Sequence, residues 1–362
     1  MYNKNYFKEI KTINKTQNYI FGNFKEDFSK EVNNKYQVRF IYDCIFTQIF
    51  NIIIIIYSYY YKNYQYCNNC INLLDYKNSH CFKCSNELIF KGLRIKSSLF
   101  TLNKIINNNS SISRIGDGEF ILIFGKNIGF QKYNQTLAKR LIEVLNSNEK
   151  NLLIGINIPY KEKDLKVFKK YIINYYKKFF KKYKFKIIKI LNKQKIYYSA
   201  LITRFYIDYN NNKNIKKYIE KLKKIWDKKN VLIIEGEETR LGIGNDLFNN
   251  IKSIKRIICP KKNSFSVYDK IIKETLKVIE KRLILIALGP TATILAYDLY
   301  KLGYQVIDVG HIDIEYEWYL RKSKKRIRIE YKFVNEAKNG GKNIKKIKDV
   351  NYYKQIIAII KQ

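Results

Sequence analysis

Residues Leu283 to Leu299 read "LILIALGPTATILAYDL", an aliphatic run followed at once by a Gly-Pro pair and a second apolar stretch. Continuous Ile and Leu runs of this length are typical of strands that are buried on both faces. Gly289 ends the run, and Pro290 suits the first position of a helix because no N–H partner is needed there. The stretch therefore predicts a buried strand, a compact turn and a helix.

The same alternation recurs from about residue 100 onward. Further strand-length apolar runs are "NLLIGINI", "VLIIEGE", "IKRIICP" and "YQVIDVG", and helical stretches such as "NIKKYIEKLKKIW" and "YDKIIKETLKVIEK" lie between several of them. This pattern predicts the α/β class, with a mostly parallel sheet and helices on both faces. Ligands of such sheets bind beyond the carboxyl ends of the strands, so the loops there are expected to carry the chemistry.

The composition of the 362-residue chain allows about two domains and a sizeable core, with 46% hydrophobic residues. A net charge of +39 ordinarily suggests nucleic acid or an anionic membrane as a partner. Asn, Ile and Tyr are abundant together with Lys throughout the chain, which fits an AT-rich coding background. We therefore expect a solvated lysine-rich surface, and the charge by itself does not favour a nucleic-acid partner.

The first 95 residues differ from the rest because they hold five of the six cysteines. Cys67, Cys70, Cys81 and Cys84 form two CxxC pairs, a spacing that can close a tetrahedral zinc site from two knuckles. We predict an N-terminal extension over residues 1–95 with a zinc-ribbon-like module at 67–84 and a structural Zn²⁺. Disulfides or idle thiols are the alternatives.

Two N-terminal features bear on location. The start of the chain lacks a compact apolar region with a small-residue cleavage site, which predicts a cytoplasmic protein. The apolar run from Ile45 to Tyr61 is short of the roughly 20 residues of a spanning helix and is interrupted by Gln48 and Asn51. It favours a buried element or peripheral contact with a membrane surface.

A pair of acids stands in the turn "RIGDGE", residues Arg114 to Glu119. Asp117 and Glu119 can reach a common point where the backbone turns, and a divalent cation would remove their repulsion. Hard oxygen ligands suit Mg²⁺ or Mn²⁺, which also bind substrate phosphates. The alternative is a turn in which the Asp caps the following helix and the Glu is solvated.

Two further turns are candidate phosphate sites. In "VLIIEGEETRLGIGNDLF" a loop with two glycines joins a strand to a new apolar segment, as a phosphate cradle would require. In the opening stretch, Thr291 adds a hydroxyl at the positive end of the predicted helix. The candidate residues of the two turns are Glu237, Arg240, Gly242, Gly244, Asn245, Asp246, Gly289 and Thr291. The alternatives are a helix N-cap at Asn245 or Asp246 and simple helix initiation at Pro290.

The stretch "DVGHIDIEYEW" follows the last predicted strand and carries His311 among alternating acids. Asp313, Glu315 and Glu317 would share one face if the segment were extended, and they would then need cations, hydroxyls or water. A lone histidine is more often structural, but this one follows a strand end.

The four stretches that contain Asp117, Gly242, Gly289 and His311, together with "SALITRFYIDY" and "IKRIICPKKNSF", resemble the GT-D-fold glycosyltransferases over about residues 97–336. Bacterial members of this family extend glycans on serine-rich surface adhesins. The resemblance implies a Rossmann-like domain, a nucleotide-sugar donor such as a UDP-sugar, and a glycan or glycoprotein acceptor. It also implies that Asp117 and Glu119 engage Mn²⁺ or Mg²⁺ and the diphosphate of the donor, beside Arg114. Residues 337–362 are predicted to form a basic C-terminal tail or helix.

An inverting reaction would need a base, for which His311, Asp313 and Glu237 are the candidates. Two other functions stay open at this point. A metal-dependent phosphohydrolase would keep the fold, and a basic, zinc-containing nucleic-acid-binding protein would explain the charge and the cysteines but not the ordered motifs at strand ends.

Overall fold

The structure, a computed structural model, describes residues 64–66, 73–75, 93–157 and 167–362. The apolar run 45–61 and the four cysteines of the two CxxC pairs lie outside the described residues, so the membrane contact and the zinc module stay predictions. The chain divides into two compact units, Met1–Asn78 and Ser79–Gln362. In the first unit, strands β1 (Tyr64–Tyr66) and β2 (Leu73–Asp75) pair antiparallel.

The second unit alternates strands and helices. Its strands are β3 (Arg94–Ile95), β4 (Ser111–Ile115), β5 (Leu152–Ile156), β6 (Ile196–Ser199), β7 (Asn230–Gly236), β8 (Ser253–Cys259), β9 (Leu283–Ala287), β10 (Val306–Asp308) and β11 (Ile356–Ile359). Its α-helices are α1 (Ser98–Asn108), α2 (Asp117–Ile123), α3 (Gln135–Asn146), α4 (Lys170–Ile190), α5 (Ile215–Lys223), α6 (Tyr268–Leu276), α7 (Pro290–Lys301), α8 (Ile312–Leu320) and α9 (Val350–Gln355).

The nine strands of this unit form one sheet in the order β11-β8-β7-β9-β10-β4-β5-β6-β3, and every neighbouring pair is parallel. Successive residues of β7 enter different cores: Val231 packs with α1, α5 and α8, whereas Leu232 packs with α6 and α7. Both faces are therefore covered, and the predicted parallel α/β architecture is confirmed.

The strand, turn and helix predicted from Leu283 to Leu299 are present as β9 and α7 in the middle of the sheet. All five residues of β9 are buried, and Pro290 is the first residue of α7. Gly289 joins them at φ +53°, and a Cβ atom there would lie 2.5 Å from Cε2 of Phe130. Only glycine fits this turn, because a side chain would be both strained and overlapping.

The ends of the second unit differ from the sequence-based boundaries. The segment 337–362, predicted as a basic tail or helix, contains α9 and then β11, which pairs with β8 as the edge strand. Its final Ile-rich residues are strong strand formers, which explains their place in the sheet. At the other end, β3 pairs with β6, so Arg94 and Ile95 of the predicted extension also belong to the sheet.

Within the described ranges, none of the helices combines the length and the apolar character that a membrane crossing requires.

Candidate active site

A cavity of about 530 Å³ opens at the carboxyl ends of the strands. Its lining includes residues that directly follow or end six neighbouring strands: Gly116, Asn157, Ala200, Gly236, Leu288 and Asp308. This is where a parallel sheet is expected to bind its ligands, because all the crossover loops on that side begin there.

The predicted acidic turn lies in this cavity. Gly116 precedes α2, Asp117 is its first residue, and Glu119 turns back so that its Oε2 accepts from Gly116 N at 2.7 Å. This bond is the glutamate half of a capping box, so the glutamate caps the helix start and the aspartate does not, the reverse of the structural alternative. Asp117 instead accepts the hydroxyl hydrogen of Tyr175 from α4. Both acids line the cavity.

The acidic turn is electrostatically crowded. Burial raises the pKa of Glu119 to about 7, against the lowering effect of the Gly116 N–H bond, and the charges of Asp308 and Asp117 raise it further. A positive ion at this point would relieve the repulsion, and the oxygen donors are of the kind that Mg²⁺ and Mn²⁺ prefer. Across the part of the chain that the structure describes, no three His, Cys, Asp or Glu side chains cluster as a metal site. Asp117 and Glu119 would thus be two protein ligands of an ion that takes the rest from substrate and water.

Arg114 borders the cavity, but its guanidinium is already engaged. It donates to Asp308 at 2.8 Å, to the Thr203 hydroxyl at 2.7 Å and to the Ala200 carbonyl at 2.9 Å. Gly310 passes so closely that a Cβ atom there would overlap Arg114 Nη2. Arg114 therefore ties together the ends of β4, β6 and β10 beside the acidic turn.

The two residues predicted at the start of α7 have different places. Gly289 lines the cavity. Thr291 is fully buried and lies outside the lining, and its hydroxyl has no hydrogen-bond partner among the described residues. Only the turn itself, and not the threonine side chain, is placed to meet a ligand.

Arg240 and Glu237, predicted as a phosphate ligand and a candidate base, do not line the cavity. Arg240 donates to the carbonyls of Tyr331 at 2.6 Å and Lys345 at 2.8 Å. Glu237 is exposed. From the same loop, Thr239 reaches the lining instead.

The two glycines of the predicted phosphate cradle also pack against other side chains of the protein. Gly242 and Gly244 have left-handed backbone, with φ of +74° and +77°. A Cβ atom at Gly242 would lie 2.5 Å from the Phe248 ring, and one at Gly244 would lie 2.6 Å from the Tyr331 hydroxyl. Their conformation serves close packing of the loop, and neither glycine lines the cavity.

Asn245 and Asp246 likewise have partners within the protein. Asn245 donates to Asp313 at 2.9 Å and to Glu317 at 2.7 Å. Asp246 pairs with Lys223 at 2.8 Å. Neither residue lines the cavity, because the fold uses both to join the loop to α5 and α8.

The acids after β10 do not share one face, because the segment is the helix α8 rather than an extended strand. Asp313 borders the cavity, yet it is only 1% exposed and both of its oxygens are occupied. Oδ1 accepts from Gly242 N and from Asn245, and Oδ2 accepts from Lys332 Nζ at 2.5 Å. Lys332 is fully buried and also contacts Glu317 at 3.1 Å. Asp313 therefore anchors a buried network.

His311 does line the cavity, at the residue before α8. Its Nε2 lies 2.7 Å from Oδ1 of Asn335 and 3.4 Å from Oε1 of Glu336. Burial lowers the pKa of His311, and the Glu336 charge opposes this effect only in part. The imidazole is consequently neutral at neutral pH and can act as a proton acceptor.

Several cavity residues were not singled out from the sequence. They are Asn335, Glu336, Arg204, Arg326, Tyr175 and Lys261. Arg204 stands in "SALITRFYIDY" and Lys261 in "IKRIICPKKNSF", so the resemblance covered both without assigning them a role. The others come from a helix and a late loop, whose approach to the cavity no local pattern encodes.

The chain matches known proteins over most of its length. A family model described as the glycosyltransferase GT-D fold matches residues 112–337. Glycosyltransferase GlyD of Streptococcus pneumoniae serotype 4 is 37% identical over 268 residues, which is 74% of this chain and 33% of that protein. A probable glycosyl transferase, Gly, of Streptococcus gordonii is 36% identical over 267 residues, with 72% and 38% covered. The chain thus spans about a third of the length of these curated relatives.

Solved structures agree with the sequence relatives. One, described as a highly conserved domain with a distinct glycosyltransferase fold, has a TM-score of 0.71 at 37% identity and covers 75% of this chain and 96% of its own. Another, described as a new glycosyltransferase from Streptococcus sanguinis, has a TM-score of 0.71 at 33% identity, with 74% and 100% covered. Because the family model spans more than half of the sequence and these structures share its fold, the chain belongs to the GT-D-fold glycosyltransferase family.

Proposed function

We propose that this chain transfers a sugar from a nucleotide-sugar donor, expected to be a UDP-sugar, to a hydroxyl of a glycan or glycoprotein acceptor. The observation that carries the proposal is the position of Asp117 and Glu119, which both stand in the first turn of α2 and both line the cavity. The names of the relatives support glycosyl transfer as the reaction class, while the donor, the acceptor and the metal rest on the residues.

The acidic turn is the proposed site for the donor diphosphate. A Mn²⁺ or Mg²⁺ ion held by Asp117 and Glu119 would neutralise the charge that develops on the leaving nucleoside diphosphate. Tyr175 holds Asp117 in place from α4, and burial raises the pKa of that tyrosine, so its hydroxyl stays a donor.

Other parts of the cavity lining offer positive groups for the same diphosphate. Gly289 places the N-terminal turn of α7 at the lining, where unpaired N–H groups favour anions. Lys261 also lines the cavity and pairs with Glu238 at 2.6 Å. Because this pair is only partly buried, the ammonium can be shared with an entering phosphate.

The acceptor hydroxyl needs a base if the reaction inverts the anomeric centre. Of the three candidates, His311 is the one that lines the cavity with a neutral side chain. Asp313 has both oxygens bonded to the protein, and Glu237 lies outside the lining. We therefore assign the base to His311.

The proposal is tested with Asp117→Asn and Glu119→Gln, singly and together, in the full chain. The assay is transfer from a panel of UDP-sugars with Mn²⁺, with and without a sugar acceptor, after a thermal-shift screen of donors. We expect each variant to lose transfer by at least about 100-fold, the scale of one lost electrostatic contact to the leaving group. The exposed variants Asp269→Asn and Glu149→Gln are matched controls and should keep full activity.

Other outcomes identify other functions. Retained metal-dependent transfer in the double variant would refute the assignment of the acidic turn. Sugar release that needs no acceptor would indicate a phosphohydrolase, and tight binding that falls steeply with salt would indicate a nucleic-acid-binding protein.

A further inference from the structure

His311 is held by two side chains that come from a loop far along the chain. Its Nε2 faces both Oδ1 of Asn335, at 2.7 Å, and Oε1 of Glu336, at 3.4 Å. Both oxygens can only accept hydrogen bonds, so Nε2 must carry the ring hydrogen. In a neutral imidazole the lone pair is then on Nδ1.

Glu336 is itself fixed by two arginines. Arg204 binds both of its carboxylate oxygens, one at 2.7 Å, and Arg326 lies 3.1 Å from Oε2. Burial alone would raise the pKa of Glu336, but the charges of Arg204, His311 and Arg326 outweigh it and hold the pKa well below its usual range. The carboxylate is therefore ionised and immobile, because a bidentate arginine leaves it one orientation.

The sharing of Glu336 between two guanidinium groups has a consequence for the histidine. A free carboxylate beside an imidazole would favour the charged imidazolium, but here most of that negative charge is balanced by Arg204 and Arg326. Glu336 can thus orient the His311 ring without favouring its charged imidazolium form. The charged groups acting on the ring are Glu336, Arg204 and Arg114.

We propose that Asn335 and Glu336 are positioning residues that hold His311 in the tautomer with its lone pair on Nδ1, the atom that receives the acceptor proton. The inference rests on the proposed function. In the step, the acceptor O–H bond breaks and its proton moves to Nδ1. The acceptor oxygen bonds to the anomeric carbon, and the donor's carbon–oxygen bond breaks with its electron pair leaving on the nucleoside diphosphate. Glu336 then faces the new imidazolium and stabilises it.

The first test reads the tautomer directly and needs no activity. The chain has only two histidines, His80 and His311, so a His80→Gln variant of the full chain labelled with ¹⁵N-histidine reports His311 alone. We expect a hydrogen on Nε2 and a bare Nδ1 at neutral pH. A hydrogen on Nδ1, or rapid exchange between the two tautomers, would overturn the proposal.

The second test uses two nearly isosteric substitutions with opposite expected effects. Glu336→Gln leaves the arginines unbalanced, so the His311 pKa, and the acidic limb of kcat/KM, should move down by about one pH unit. Asn335→Asp adds a carboxylate at Nε2 and should move both up by about the same amount. The exposed Asn249→Asp is the matched control and should move neither.

A purely structural role predicts a different result, namely lower activity in both variants with the acidic limb unmoved, which would overturn the proposal. If Glu336→Gln does not fold, Asn335→Asp and the tautomer of the parent chain still decide the question. Failure of the parent chain to transfer sugar would count against the proposed function, whereas the tautomer measurement judges the positioning role separately.

Discussion

Asp313→Asn separates an anchoring role from a catalytic one. Asp313 accepts from Gly242 N at 2.9 Å, from Asn245 at 2.9 Å and from the buried ammonium of Lys332 at 2.5 Å. An asparagine can keep the first two bonds through its oxygen, but its NH₂ group would face the ammonium donor against donor. Lys332 would then depend on Glu317 alone, at 3.1 Å.

The expected cost follows from the burial of this pair. Removing one partner of a buried ion pair typically destabilises a protein by about 3–5 kcal/mol, because a charge is left uncompensated. With a urea m-value of about 3 kcal/mol per molar, the midpoint of unfolding should fall by about 1–1.7 M. Trp226 and Trp318 are the chain's two tryptophans and both are fully buried, so their fluorescence reports the transition.

The controls make this prediction specific. The exposed Asp269→Asn should leave the midpoint within about 0.3 M of the parent chain, since surface changes are usually small. Combining Asp313→Asn with Lys332→Met removes the lone ammonium and should recover part of the lost stability. A variant that is as stable as the parent chain but inactive would refute the anchoring role and return Asp313 to the candidate bases.

Four further predictions concern the cavity and the sheet. Burial raises the pKa of Glu119 to about 7, so below that pH Mn²⁺ must displace a proton to bind. The affinity of the chain for Mn²⁺, measured by calorimetry, should therefore fall up to tenfold per pH unit below pH 7, and a flat profile would contradict this. The same raised pKa means that, without metal, stability should decline as pH rises from about 4.5 through 7. Gly289→Ala should cost about 2–5 kcal/mol in urea unfolding, from backbone strain and overlap with the Phe130 ring, and Phe130→Leu should restore only part; no change would show that the turn tolerates a side chain. Arg256→Met should cost about 3–5 kcal/mol because it leaves the buried Glu235 carboxylate unpaired at neutral pH, and full stability would show that this 2.6 Å ion pair is dispensable.

The sheet could be predicted because its information is local. Buried strands such as β5 and β9 are continuously apolar, and the tight turn into α7 needs residues such as Gly289 and Pro290, whereas β4, with the sequence Ser-Ile-Ser-Arg-Ile, gives no such signal. The acidic turn could be predicted for a related reason, since Asp117 and Glu119 occupy the first turn of the helix that directly follows a strand. In a parallel sheet that position faces the ligand side wherever the strand lies in the order.

The remaining assignments depended on partners distant in sequence. Gly242 has left-handed backbone, but only tertiary packing decides whether such a loop faces a ligand or a ring such as Phe248. Asp313 became an anchor because Lys332 is buried beside it, and the Nε2 of His311 faces Asn335 and Glu336.

By itself the sequence determined the parallel architecture and the acidic turn, because periodicity, strand burial and turn chemistry act over a few neighbouring residues. Only the tertiary structure decided which polar side chains are ligand-facing and which are buried in ion pairs. The physical reason is that the state of a buried charge depends on the charges packed against it, and these come from any part of the chain.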